Sequence, residues 1–228
     1  MEIIKGHFSP EYRYRLRLTM ALISLFLSLF VFCALSYDFS DTGFLYHSDH
    51  WVQQIVGKVV TPWLTIMMKG ITFLGSKNFI WGIGVLIFVY LLLKKECWYI
   101  FPLVIGIGGA ENIISFLKDF FHRPRPTPQI VPAAGYSFPS GHAFYAMLAY
   151  GFMIFLTWKL IRNSGLRRLI FILCPLVILL IGLSRIYLGV HWLTDVLGGY
   201  CAGYSWLLIN ILLVRVIGHY WEGEEGRN

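Results

Sequence analysis

Apolar and polar positions in this 228-residue chain separate into long blocks. Apolar runs cover residues 18–37, 79–93, 97–117, 141–160, 169–188 and 196–217, with short polar stretches between them. A helix needs about 20 apolar residues to cross a bilayer. Most of the runs reach or approach that length, and 79–93 does so with its flanks. The pattern predicts an all-α, polytopic membrane protein with six transmembrane helices in a single domain, 1–228.

Residues 51–74 follow another rule. Val52, Ile55, Val56, Val59, Trp63, Met67, Ile71 and Leu74 recur at helical spacing, while Gln53, Gln54, Lys58, Thr61, Thr65 and Lys69 fall between them. This predicts one amphipathic helix, kinked at Pro62, at the membrane interface or in a groove between spans. Its expected role is packing or contact with lipid, outside the chemistry. Residues 38–50 read as a polar loop and 116–138 as a loop rich in Pro and Arg. The basic start before residue 18 has the form of a secretory leader. No A-x-A site follows and the apolar run is long, so an uncleaved helix is expected.

Composition sharpens this picture. The chain is 57% hydrophobic and 14% charged, where soluble domains are roughly a quarter charged. The net charge of +7 does not indicate nucleic acid, because the cations lie in clusters between apolar runs. Twelve of the 19 Lys and Arg residues fall in the N-terminal stretch, around 94–96, in 159–168 and in the tail (Glu222, Glu224 and Glu225 also lie there). The other seven are Lys58, Lys69, Lys77, Lys118, Arg123, Arg125 and Arg185. The bias predicts a cell (inner) membrane protein with cytoplasmic termini. The four cysteines, Cys33, Cys97, Cys174 and Cys201, form no C-x-x-C pair and are expected as buried small hydrophobes.

Three stretches carry the candidate chemistry, and six spans put all of them on the outer face. The first runs from Lys118 to Arg125-Pro126, the second is Pro139-Ser140-Gly141-His142, and the third holds Ser184-Arg185, His191 and Asp195. Charged groups beside membrane spans are costly unless they have a function. His191 and Asp195 are four apart and share a helical face. The carboxylate would set the imidazole tautomer and leave the other ring nitrogen free. Ser140 precedes an apolar helix as an N-cap, so the Gly141 and His142 N–H groups would face an anion. With Lys118, Arg125 and Arg185 these groups make a phosphate cradle. His142 would donate a proton to the leaving oxygen while His191 attacks phosphorus. Glu111, seven residues before Lys118 on about the same face, is expected to support its neighbours. His122 and Arg123 read as loop structure or a general attraction for anions. The outer half of the core offers only Glu111, Asp119 and Asp195 as carboxylates, so neither metal nor cofactor is expected.

The patterns K-x(6)-R-P, P-S-G-H and S-R-x(5)-H-x(3)-D, in this order, resemble the signature of the type 2 phosphatidic acid phosphatase superfamily. Within it the chain looks most like the compact bacterial phosphatidylglycerophosphatase B and undecaprenyl-pyrophosphate phosphatase groups. The resemblance implies that His191 forms a phosphohistidine and that Asp195 orients it. His142 would act as acid and then as base for water. Lys118, Arg125, Ser140, Gly141 and Arg185 would hold the phosphoryl oxygens, without metal. The implied partners are the bilayer and a lipid phosphate: phosphatidylglycerophosphate, undecaprenyl pyrophosphate, phosphatidic acid or a lipid A phosphate. A flippase, transporter or phospholipid-binding protein on the same scaffold is the alternative, though binding alone needs no aligned nucleophile and acid. Vanadate haloperoxidases share the signature, but they are soluble.

Overall fold

The computed structural model describes residues 9–37 and 43–225, with side chains through residue 213 except Pro10. Lys5, Arg227 and residues 38–42 lie outside the described residues, as do the side chains of Arg215, Glu222, Glu224 and Glu225. The described elements are α1 (Pro10–Ser36), α2 (Phe44–Lys58), α3 (Pro62–Phe73), α4 (Lys77–Leu93), a short 3-10 turn (Cys97–Tyr99), α5 (Ile100–Phe121), α6 (Gly141–Leu160), α7 (Ser164–Tyr187) and α8 (Leu193–Glu225).

Local chemistry sets several boundaries. The Ser9 hydroxyl accepts from Tyr12 N ahead of Pro10, a residue suited to a first turn. Ser76 caps α4 through Phe79 N, and Asn163 caps α7 through Leu166 N. α5 ends at His122, which takes a left-handed conformation (φ 51°) and bonds back to Lys118 O.

Among the described residues, five helices are long and apolar enough to cross a membrane. A sixth span arises if α3 and α4, bent by 44° at their junction, are counted together. The chain is therefore a multi-pass helical membrane protein. Side chains such as Phe26, Leu86, Leu93 and Ile172 point outward from the bundle, as a hydrocarbon solvent allows. Cys33 and Cys97 are exposed among them, against the expectation of burial, while Cys174 is buried. A thiol facing lipid needs no protein cover.

The segment 51–74 is not one kinked helix. α2 already begins at Phe44, inside the stretch read as loop, and the chain breaks at 59–61. Thr61 is extended (φ −137°) and its hydroxyl accepts from Leu64 N, so Pro62 starts a new helix. Between α3 and α4, a Cβ on Gly75 would press on Ile181 and on the His142 backbone. Glycine there lets the bend sit against α6 and α7.

α6 is the most enclosed helix, with Ala143, Phe144, Ala146, Leu148, Ala149 and Phe152 buried. A side chain on Gly199 would collide with Ser140 O and Ala143, so glycine permits the close α6–α8 approach. α1 is tied to α8 by Ser28 Oγ donating to Cys201 O at 3.0 Å, and α5 by Trp206 Nε1 donating to Gly106 O at 2.9 Å. This packing brings the C-terminal ends of α5 and α7 beside the N-terminal ends of α6 and α8.

Candidate active site

Each motif occupies a helix end or the loop beside it. Lys118 lies in the last turn of α5, Arg125 in the loop that follows, and Ser140 to His142 at the start of α6. Arg185 ends α7, His191 lies in the 188–192 turn, and Asp195 is in the first turn of α8. Backbone bonds stitch the loops together: Ser140 N donates to Asp195 O at 2.9 Å and Ile130 N to Leu188 O at 3.0 Å.

His191 is 2% exposed. Its Nδ1 faces Asp195 Oδ2 at 3.4 Å, and its Nε2 lies 3.3 Å from Arg125 Nη1. Arginine has only donors. Nε2 therefore accepts, and the imidazole proton belongs on Nδ1, facing the carboxylate. Burial holds His191 well below the ordinary imidazole range, and the charges of Arg185, Arg125 and Lys118 push the same way. The ring is neutral at pH 7 with its lone pair turned toward the cations. The same three cations also act on His142.

The cations are held by carbonyls and hydroxyls that do not neutralise them. Lys118 Nζ donates to Tyr136 O at 3.0 Å. Arg125 donates to the carbonyls of Gly135, Ala134, Tyr136 and Val190. Arg185 Nη1 donates to Thr72 Oγ1 at 2.8 Å. Two buried polar atoms here, Ser140 Oγ and Arg185 Nε, have no hydrogen-bond partner. Buried donors normally have one, and both fit an oxyanion. Ser140 takes the N-cap position, but its side chain does not bond to the helix backbone. The expected side-chain cap is thus corrected, and its hydroxyl stays available to the site.

The family model of the PAP2 superfamily matches residues 99–218, which contain all three motifs. The chain belongs to the PAP2 superfamily.

It is an enzyme, a PAP2-type phosphatase of the phosphoric ester hydrolase class. It is 31% identical over 178 residues to phosphatidylglycerophosphatase B of Bacillus subtilis (strain 168), covering 77% of this chain and 88% of the relative. Its fold matches the crystal structure of a transmembrane PAP2 type phosphatidylglycerolphosphate phosphatase from Bacillus subtilis, with a TM-score of 0.73 and 29% identity. That match covers 87% of this chain and 96% of the other. The crystal structure of Aquifex aeolicus LpxE has a TM-score of 0.57 at 24% identity over 72% of this chain and 94% of the other, a likeness of fold.

Arg123 and Glu111 have defined partners beside the PAP2 cradle. Of its two sequence readings, Arg123 fits loop structure and not a general attraction for anions. It is 6% exposed and bridges Asp49 Oδ2 and Asp195 Oδ1, each at 2.6 Å. Glu111 lies off the cradle. Its half-exposed carboxylate accepts from Tyr145 OH at 2.7 Å and pairs with Lys77 at 3.0 Å. His122 is exposed, with its ring against Tyr136.

The segment read as mere packing, together with Asp49 from the stretch read as a polar loop, holds the site from behind. Gln53 Nε2 donates to His191 O at 3.0 Å, Thr72 binds Arg185, and Asp49 binds Arg123. Sequence reasoning missed all three. The only local signal was the spacing of Asp49, Gln53 and Val56, which share one helical face. A cavity of about 590 Å³ opens between α2 and the loop at Arg125, lined by His50, Gln53 and Trp192 among others. Among the described residues, no group of three or more His, Cys, Asp or Glu side chains is arranged to hold a metal ion.

Proposed function

We propose that this enzyme hydrolyses the phosphomonoester or pyrophosphate of a membrane lipid at the outer face of the cell membrane, through a phosphohistidine on His191. The carrying observation is the contact between His191 Nε2 and Arg125 Nη1 at 3.3 Å. It turns the free lone pair of a neutral imidazole toward the group that would grip the phosphate.

His191 Nε2 attacks phosphorus, and the P–O bond to the lipid breaks. His142 protonates the leaving oxygen. Asp195 stabilises the positive ring that forms. His142 then takes a proton from water, whose oxygen attacks phosphorus and breaks the N–P bond. Inorganic phosphate leaves and His191 returns to its starting form. Lys118, Arg125 and Arg185, the Ser140 hydroxyl and the Gly141 N–H hold the phosphoryl oxygens. These cations supply the charge stabilisation that a metal would otherwise give. Glu111 supports the site from α5 through Tyr145 and Lys77. The positive-inside bias supports cytoplasmic termini. The name of the Bacillus relative favours phosphatidylglycerophosphate as the first lipid to try.

The test is phosphate release by the detergent-purified protein from phosphatidylglycerophosphate, undecaprenyl pyrophosphate, phosphatidic acid and lipid A, with EDTA present and His191→Ala in parallel. EDTA-resistant, His191-dependent release is expected. Release that EDTA abolishes would refute the metal-free route, and full activity in His191→Ala would refute the nucleophile.

A further inference from the structure

We infer that Asp49 is a positioning residue for His191, acting through Arg123 and Asp195; this rests on His191 being the nucleophile. Asp49 and Asp195 are fully buried, and Arg123 nearly so. Arg123 Nη2 binds Asp49 Oδ2 and its Nη1 binds Asp195 Oδ1, both at 2.6 Å. Arg123 Nη1 also donates to Thr194 Oγ1 at 2.6 Å. Thr194 in turn gives its N–H to Asp49 Oδ1 at 2.9 Å and its hydroxyl to Asp49 Oδ2 at 2.6 Å. Both Asp49 oxygens are thus engaged, and the guanidinium is clamped from two sides.

This clamp decides which way Asp195 faces. With Oδ1 taken by Arg123, Oδ2 is left for Trp192 N at 2.9 Å and His191 Nδ1 at 3.4 Å. Rotation of the carboxylate would break its strongest bond. Asp49 also sets the local charge. Asp49, Arg123 and Asp195 carry a formal sum of one negative charge beside an imidazole on which Lys118, Arg125 and Arg185 act as well, and which also interacts with His142. When His191 attacks phosphorus its ring becomes positive, and that extra negative charge favours the change. Without Asp49, the remaining Arg123–Asp195 pair is neutral.

Stability alone is a poor reason for the arrangement. Buried ion networks are often no more stabilising than apolar packing of the same volume. α2 already docks through Val52 and Val56 against Ala143, Ile186 and Val196.

The experiment compares kcat, KM and the pH dependence of kcat/KM for the full-length wild type, Asp49→Asn, Arg123→Gln, Arg123→Lys and His191→Ala in one detergent, with phosphatidylglycerophosphate. Asp49→Asn keeps the shape and removes the charge. Its kcat should fall by about tenfold to a hundredfold, with KM within about twofold. Its acidic limb should move to lower pH, because the imidazolium loses a neighbouring negative charge. Arg123→Gln should move the limb to higher pH. A purely structural role would not shift the two limbs in opposite directions. A folded Asp49→Asn with wild-type kcat and an unmoved limb overturns the inference, as does a rise in KM alone. Should Asp49→Asn not fold, Arg123→Lys decides: a lysine cannot span both carboxylates, so kcat should drop, and an unchanged kcat overturns the inference. If His191→Ala keeps its activity, the nucleophile reading fails first and the inference falls with it. If His191→Ala is inactive while Asp49→Asn is not impaired, only the inference fails.

Discussion

Arg125 Nη1 stands 3.3 Å from His191 Nε2, close enough to dictate where the imidazole proton resides. A guanidinium offers only donors, so the nitrogen it faces must present a lone pair. The proton is left on Nδ1, facing Asp195 at 3.4 Å. The distance to the carboxylate is long, and such contacts tighten when a reacting group arrives.

The first consequence concerns the proposed nucleophile. His191→Ala should lower phosphate release at least about a thousandfold, with a thermal unfolding profile close to wild type in detergent. Brief incubation with a lipid labelled in its terminal phosphate should yield labelled wild-type protein whose label is lost in acid and retained in base. Label on His191→Ala would contradict the assignment.

Asp195→Asn tests the orienting carboxylate. An amide keeps an oxygen for Trp192 N but loses the charge that pairs with Arg123. The proton no longer has a fixed home on Nδ1. A loss in kcat of about a hundredfold to ten-thousandfold is expected, together with a lower melting temperature because Arg123 loses one of its two carboxylates. Equal kcat in the two proteins would contradict it.

Ser140 separates activity from stability. Its buried hydroxyl has no protein partner, so Ser140→Ala removes no hydrogen bond from the folded protein. The melting temperature should stay the same or rise slightly. Activity should fall about tenfold to a thousandfold if the hydroxyl holds a phosphoryl oxygen. Vanadate, a phosphate mimic, should inhibit the wild type and bind more weakly to the variant. A clear drop in melting temperature with full activity would show that the hydroxyl is structural.

Acid should act on activity and stability through His191. Burial and neighbouring cations hold its folded pKa well below the ordinary value of about 6.5. The nucleophile therefore stays neutral below pH 6.5, and the acidic limb of kcat/KM should lie beneath the usual histidine range. The sign for stability is the reverse of a gain. Below about pH 6.5 the unfolded imidazole takes up a proton that the folded one refuses, so this residue's contribution falls as pH drops. Melting temperatures at pH 8 and pH 5.5, for wild type and a His191→Gln variant, check this. The wild type should lose more on acidification.

How much could be read beforehand differs from segment to segment. The run 141–160 matches α6 residue for residue, because a mostly apolar stretch of 20 residues between a serine and a polar connection leaves a membrane helix no other bounds. The 51–74 segment fared worse. Its periodicity is helical on both sides of Pro62, and periodicity alone cannot tell a kink from a new start. Only the extended Thr61, with its hydroxyl on Leu64 N, makes Pro62 a first residue. The cysteines teach a related lesson: apolar surroundings in sequence mean protein interior or lipid, and Cys33 and Cys97 face outward.

The amino-acid sequence by itself determined the spans, the three motifs and their delivery to one end of the bundle. Span length follows from bilayer thickness, and the four-residue spacing of His191 and Asp195 pointed to their pairing, although the structure makes it between the turn before α8 and the first turn of α8. Both are local quantities. Tertiary structure alone decided which nitrogen of His191 is free, that Ser140 and Arg185 keep unpaired polar atoms, and that Asp49 clamps Arg123. Asp49 and Arg123 are 74 residues apart, and neither shows its partner in its own neighbourhood. A buried charge must find its counter-charge wherever folding brings one, so only the packed helices reveal the pair.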